Sequence, residues 1–447
     1  MSRTKTQFAT RLGVIATTVG SAVGLGNIWR FPYEAGMHGG GAFLLIDLFF
    51  IFIIGIPVIC AEFIIGRHTG TNVRGAFAQL APKSGWTILG YGGILASTLI
   101  LGFYSVVAGW TLEYIYQSII GFGSVHDPDQ LHARFDAFST SDFRPVMWTV
   151  VFLLINFLIL VRGVEKGIER MSNILMPTFF VILLAFCINS LMLPKAAEGL
   201  TFLFKPEFSK ITPDVLLGGM GQAFFSLSLG LGCLITYSSY FDRRTKLLKT
   251  ACTTAALDTL VSILAGIIIF PAVFSFGQEP AAGPRLVFEV LPSIFSDMPG
   301  GMIWSTLFFV LLFLASLTST VSMSEISIAY YIDELNMSRR KATLLNLAIA
   351  LVLGSLCALS FGSLSHIKVF GMNFFNLFDF LSSNVLLPLG GMFTSIFVGW
   401  KMKRQVVYAE LDAPLTGARR AVVNCIIFCL RWIAPVCILM VFISGLM

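Results

Sequence analysis

A chain of 447 residues with 56% apolar and only 12% charged positions has too little polar surface for a soluble domain, and its apolar runs recur at the length needed to cross about 30 Å of hydrocarbon. All eight cysteines lie inside those runs, without the paired loop spacing of a zinc site or a disulfide framework, so they read as small apolar packing residues. The formal charge of +6 comes from lysines and arginines sorted by loop, an orientation signal and not a nucleic-acid footprint.

The expected fold class is therefore an all-α polytopic membrane protein, one unit over residues 1–447. About eleven transmembrane helices follow from run length, at 11–36, 41–67, 86–121, 146–161, 169–193, 214–241, 247–276, 302–333, 341–361, 370–400 and 421–446. The segment before the first span is basic but has no separate short apolar region ending in a small-residue cleavage site, so the first helix is expected to stay in the mature protein.

That first span is not a plain helix. Gly20-Ser-Ala-Val-Gly-Leu-Gly-Asn27-Ile-Trp-Arg30-Phe-Pro32 stacks glycines, an asparagine, an arginine and a proline at membrane depth. In hydrocarbon every backbone amide needs a partner, so such a stretch persists where opened backbone lines a cavity and binds something. A glycine-rich packing face is the alternative. Arg30 is costly inside a membrane and calls for a carboxylate partner.

The next interruption, Ser226-Leu-Ser-Leu-Gly-Leu-Gly232, falls in the sixth span. An odd offset between two broken helices makes them enter from opposite sides, the pattern of inverted repeats, here 11–193 and 214–400 with 421–446 as an extra helix. Half-helix N-termini in each break can face an anion while freed carbonyls hold a cation. In the eighth span, Ala315-Ser-Leu-Thr318-Ser319-Thr320-Val-Ser322 sets hydroxyls on successive helical positions. These suit a hard cation such as sodium, although each hydroxyl can also bond back to its own helix.

Lysines and arginines gather at the N-terminus and in alternate loops, among them Arg67, Arg74, Arg243, Arg244, Lys246, Lys249, Arg339, Arg340, Lys341, Lys401, Lys403 and Arg404. The N-terminus is then cytoplasmic, and an odd number of spans leaves the C-terminus outside, as in a bacterial inner-membrane protein. The sequon Asn336-Met-Ser338 faces the cytoplasm in this topology and is silent.

Six motifs together resemble the neurotransmitter:sodium symporters, in their bacterial amino-acid branch, over nearly the whole chain. They are Ala9-Thr-Arg-Leu-Gly13, Gly20 to Pro32, Gly39-Gly-Gly-Ala-Phe43, Gly221-Gln-Ala-Phe-Phe225-Ser-Leu-Ser-Leu-Gly230, Ile235-Thr-Tyr-Ser-Ser-Tyr240 and Leu317-Thr-Ser319. The resemblance implies sodium-coupled symport of a hydrophobic or aromatic L-amino acid by alternating access, on a fold with broken helices 1 and 6. It implies no enzymatic activity and no organic cofactor.

Two sodium sites follow from the same resemblance. The first comprises the Ala22 carbonyl, Asn27, Ser226, Asp258 and the substrate carboxylate; the second comprises the carbonyls of Gly20, Val23 and Ala315 with the hydroxyls of Thr318 and Ser319. Gly24 stands where amine carriers have an aspartate, leaving room for a carboxylate that Tyr104 would hydrogen-bond. Carbonyls near Ala22, Phe225 and Ser228 would take the ammonium group. Gly26 and Ser226 border the same site, and Ile100, Phe225, Leu231, Ser319 and Met323 would form the side-chain pocket. Without the family, Phe225, Leu231 and Met323 are plain apolar core.

Gates are implied too. Outside, Arg30 would pair with Asp379 above a lid of Phe225 and Tyr104; inside, Asp333 and Tyr240 meet an N-terminal cation. The family usually has an arginine at that inner position, where this chain has Lys5, and tryptophan is common where it has Phe8. Lysine lacks the bidentate fork, so Arg3 is a second candidate, and Asp333 has the alternative of a solvated loop. Chloride-dependent members carry asparagine at the Asp258 position and tyrosine at the Asp47 position, whereas Gln222, Ser226 and Ser262 match the remaining anion ligands. A fixed carboxylate would then replace chloride, leaving amino acid, sodium and membrane lipid as the partners. Glu62, Glu113 and Glu325 are further intramembrane acids to which no role attaches. An amino-acid sensor or a channel using the same breaks is the competing class, and paired gates favour alternating access.

Overall fold

The computed structural model describes residues 7–120, 128–277, 287–288, 290–297, 299–414 and 416–446. The Lys5 and Arg3 expectations lie outside them. The described residues are helical throughout their regular structure. Eight helices are long and apolar enough to cross a membrane, or up to ten if each of two bent pairs is one span.

The first expected span is two helices, α1 (Arg11–Ala22) and α2 (Gly26–Met37), bent by 52° at the glycine-rich break. Thr10 caps α1 by accepting the Gly13 amide at 2.9 Å, and Val23 leaves the helix with ψ 119. The opening turn of α2, Gly26–Arg30, is π-helical, a widened form that recurs at functional sites. Then come α3 (Gly41–Thr69), stopped by Gly70 in the left-handed region, the short α4 (Val73–Leu80) capped by Asn72, α5 (Thr87–Ile120), α6 (Arg144–Leu160) and α7 (Val164–Leu191).

The sixth span is broken where the glycines predicted. α8 (Pro213–Ser226) stops, the chain unwinds, and α9 (Cys233–Ser238) resumes. Ser228, Gly230 and Gly232 have φ of 53, 82 and 81. A side chain at Gly230 would collide with the Leu387 carbonyl and the Gly391 amide, so close backbone approach, and not turn geometry alone, requires glycine there. Each piece is too short to count as a span by itself.

Further helices are α10 (Leu247–Ser275), α11 (Gly301–Asp333), α12 (Arg339–Leu359), α13 (Phe374–Lys401), α14 (Arg404–Glu410) and α15 (Ala418–Ser444), with short connecting helices at Pro128–Ser139, Ala196–Phe204 and Val290–Asp297. α13 begins at Phe374 and not at 370, because Phe370 and Gly371 have φ of 52 and 79 and Val369 bonds back to Met372. α5 packs along α11, and α1 lies against α7, α10 and α11. Those contacts bring both breaks to the centre of the bundle.

Candidate functional site

Both breaks open onto one cavity of about 40 Å³, lined by Ala22, Gly24, Gly26, Ile100, Phe103, Tyr104, Phe225, Ser226, Ser228, Leu231, Ser319, Met323 and Leu387. Every residue that the sequence assigns to the substrate lies on this wall. Phe103 and Leu387 were not foreseen: each belongs to an apolar helix, and only packing reveals which of its faces turns inward. At the floor of the first break the Leu25 amide donates to the Tyr104 hydroxyl at 3.0 Å. A Cβ on Gly24 would stand 2.8 Å from both the Tyr104 hydroxyl and the Ser319 hydroxyl, so no side chain fits without moving them. Gly26 faces the Phe225 ring at 3.4 Å by the same construction.

On one side of the cavity lies a buried oxygen cluster. Asn27 donates through Nδ2 to Ser226 Oγ at 2.9 Å, Asp258 Oδ1 at 2.8 Å and Ser262 Oγ at 3.0 Å. Ser226 donates to Asp258 Oδ2 at 2.6 Å. The Asn27 side-chain oxygen meanwhile accepts the Gly24 amide at 2.9 Å, tying the cluster to the unwound backbone. Asn27 and Asp258 are fully buried, and a carboxylate at that depth is held by these donors.

A second cluster lies along α1 and α11. Ser319 donates to the Val23 carbonyl at 3.0 Å and Thr318 to the Ala315 carbonyl at 3.0 Å. Gly20 comes so near that a Cβ there would be 3.3 Å from Thr318 Cβ and 3.6 Å from Met176 Sδ. All five residues of the second expected set, Gly20, Val23, Ala315, Thr318 and Ser319, thus converge. Carbonyl and hydroxyl oxygens without a charged ligand make a hard, weakly binding donor set.

Several expected partners differ. Arg30 makes no ion pair with Asp379: its Nε lies 3.4 Å from Glu34 Oε1, one turn along α2, and its guanidinium sits 4.5 Å from the Phe225 ring centroid. Asp379 instead accepts Ser383 Oγ at 2.8 Å. A partner on the same helix turn and an aromatic face are within reach of the arginine without any movement of α13. Asp333, exposed at the end of α11, accepts the Asn72 amide at 3.0 Å, and its expected N-terminal partners lie outside the described residues. Asp47 and Gln222 are buried but neither is hydrogen-bonded to the Asp258 cluster; Gln222 donates to the Gly26 carbonyl at 3.3 Å. Asp47 Oδ1 and Gln222 Oε1 have no hydrogen-bond partner among the described residues.

The acids left without a role acquire partners. Glu62 accepts the Gly230 amide at 2.8 Å and so holds the second break. Glu325 takes Arg339 through two bonds of 2.8 and 2.7 Å and the Tyr240 hydroxyl at 2.8 Å. Glu113 joins Arg144 and accepts Trp148 Nε1 at 2.5 Å. Phe8 is buried with its ring 6.0 Å from those of Tyr237 and Tyr240, its amide donating to the Tyr240 carbonyl at 3.1 Å. Glu169, on the first turns of α7, accepts the Ala9 amide at 2.8 Å and the Thr10 amide and hydroxyl at 3.1 and 2.7 Å. Nothing local in the sequence marks that contact, since its partners are 160 positions away.

The sodium:neurotransmitter symporter family model matches residues 5–122 and 131–447. The chain belongs to that family. An uncharacterized sodium-dependent transporter of Bacillus subtilis, YhdH, is 39% identical over 98% of this chain and 97% of its own length. The crystal structure of MhsT in complex with L-phenylalanine superposes with a TM-score of 0.90 at 44% identity, covering 99% of this chain and all of that one. The sodium- and chloride-dependent taurine transporter of Rattus norvegicus is 27% identical over 88% of this chain. The protein is accordingly a multi-pass membrane transporter and not an enzyme, and sodium is its coupling ion.

Proposed function

We propose that this symporter carries hydrophobic or aromatic L-amino acids into the cell by alternating access, with two sodium ions and without chloride. The observation that supports it most is the single cavity at both helix breaks, flanked by one oxygen cluster containing a carboxylate and another of neutral oxygens. Gly24 leaves the first break open to a substrate carboxylate near the Leu25 amide and the Tyr104 hydroxyl. Ile100, Phe103, Leu231, Met323 and Leu387 give the rest of the wall an apolar character suited to a large side chain. Met323 adds adaptable packing.

The Ala22 carbonyl with Asn27, Ser226 and Asp258 would ligate one sodium together with the substrate carboxylate, which makes ion and substrate binding mutually dependent. Gly20, Val23, Ala315, Thr318 and Ser319 would ligate the other. Moving two cations with a zwitterion transfers two charges, worth about 4.6 kcal/mol per 100 mV and about three decades of accumulation. Asp258 supplies the fixed negative charge that chloride brings elsewhere, with Ser262 bonded beside it through Asn27. We further read 11–193 and 214–400 as the inverted repeats, with the N-terminus cytoplasmic and the C-terminus outside. Arg30 over Phe225 and the Phe8, Tyr240 and Asp333 contacts act as the outer and inner closures.

Uptake of labelled phenylalanine or leucine by proteoliposomes should collapse when sodium is replaced by potassium. Thr318→Val with Ser319→Ala should weaken sodium-dependent binding, and undiminished uptake by that double variant would remove the second site. Counterflow of labelled amino acid separates a carrier from a sensor, because only a carrier exchanges internal for external substrate.

A further inference from the structure

The start of α1 and the start of α10 meet around a separate cavity of about 180 Å³, lined by Arg11, Arg244, Lys246 and Lys249 together with Val14 and Ile15. The four cations are exposed, and none has a carboxylate within 4 Å among the described residues. Nearby acids are engaged by other groups than these four side chains. Glu410 takes Arg67 at 2.6 Å and Arg243 at 3.4 Å, Glu169 takes the amides that precede α1, and Asp242 accepts the Arg244 amide at 3.3 Å. α10 also begins without a side-chain cap, so its first amides add to the positive field. Converging like charges repel, and an anion seated among them relieves that repulsion.

The surroundings select the kind of anion. Leu12 is 63% exposed on α1 and Leu260 41% exposed on α10, with Cys252 exposed between the cavity and Leu260. The exposed face of α10 beyond the cations is apolar through Cys252, Ala256 and Leu260, Leu12 adds to it at the start of α1, and the cation ring closes its end. A free phosphate would satisfy the charge and leave the apolar side unused; a molecule with a phosphate at one end and acyl chains at the other uses both.

We propose that this cavity binds the phosphate of an anionic phospholipid headgroup, which bridges α1 to α10. The assignment to the cytoplasmic leaflet rests on the reading of 242–246 as a cytoplasmic loop. Because α1 carries Gly20 and Ala22 while α10 carries Asp258, the headgroup braces the two helices that contribute to the two proposed sodium sites.

The test titrates dioctanoyl-phosphatidylglycerol into the full-length protein in neutral detergent, following its thermal midpoint and the bound adduct by native mass spectrometry. Each basic residue near a headgroup contributes about fivefold in affinity, so Arg244→Gln/Lys246→Gln/Lys249→Gln should bind about a hundredfold more weakly. The distant control Lys401→Gln/Lys403→Gln/Arg404→Gln should match the wild type. Lys249→Gln alone should lose about fivefold, which keeps the test decisive if the triple variant does not fold. Binding by the triple or the Lys249 variant equal to wild type overturns the site. Equal stabilisation by dioctanoyl-phosphatidylcholine overturns the charge selectivity, and equal stabilisation by inorganic phosphate overturns the lipid. The sidedness is tested apart: Arg244→Cys should resist an impermeant maleimide in intact cells, and labelling above the parental background would refute the cytoplasmic placement whatever the detergent titration gives.

Discussion

Gly24→Ala isolates what the first helix break contributes to binding. The added methyl would stand 2.8 Å from the Ser319 hydroxyl and 2.8 Å from the Tyr104 hydroxyl, well inside ordinary carbon–oxygen contact. Neither oxygen can swing away freely, since Ser319 donates to the Val23 carbonyl at 3.0 Å and Tyr104 accepts the Leu25 amide at 3.0 Å. Disturbing two hydrogen bonds costs about 1 kcal/mol each, and overpacking a fixed wall costs at least about 1 kcal/mol more. The sum, about 3 kcal/mol, corresponds to about 150-fold. Equilibrium binding of labelled phenylalanine in saturating sodium should weaken by that order, and the sodium concentration for half-maximal binding should rise because Ser319 belongs to the second oxygen cluster. Gly26→Ala is the matched control: its methyl would meet the Phe225 ring at 3.4 Å, a contact that yields by a small ring shift, so its loss should stay below about tenfold. Phenylalanine affinity of Gly24→Ala within threefold of wild type would refute the placement of the substrate against this break.

Wild-type uptake should be unchanged when chloride is replaced by gluconate, whereas Asp258→Asn should lose uptake or recover it only with chloride; a chloride requirement in the wild type would reassign Asp258 to sodium alone. Glu169→Gln keeps the size of the side chain but removes its charge and one acceptor from the Ala9 and Thr10 amides, a loss of about 1.5 to 3 kcal/mol for hydrogen bonds to a charged group. The reactivity of an Ala16→Cys probe on buried α1 should then rise at least about tenfold, and unchanged reactivity would show that this carboxylate does not hold α1. A double-mutant cycle between Arg30 and Glu34 should give a larger coupling than one between Arg30 and Asp379 when sodium-dependent binding is measured; the reverse order would show that the outer closure forms through α13.

Much of this architecture is legible in the chain because the causes are local. Run length and hydropathy decide where a helix can cross a membrane, and the glycines at 24, 230 and 232 mark where it does not remain a helix. The family motifs were equally local, and the residues that they nominate for substrate meet on one cavity wall. The misses share one cause. The resemblance pairs Arg30 with Asp379, but Glu34 on the next turn and the Phe225 ring lie within its reach. Glu62 on Gly230, Glu169 on the residues before α1, and the inward faces of Phe103 and Leu387 depend on which helices pack together. Charge and hydropathy specify that a buried group needs a partner; only the three-dimensional arrangement, which sets distance and competing partners, decides which one it takes.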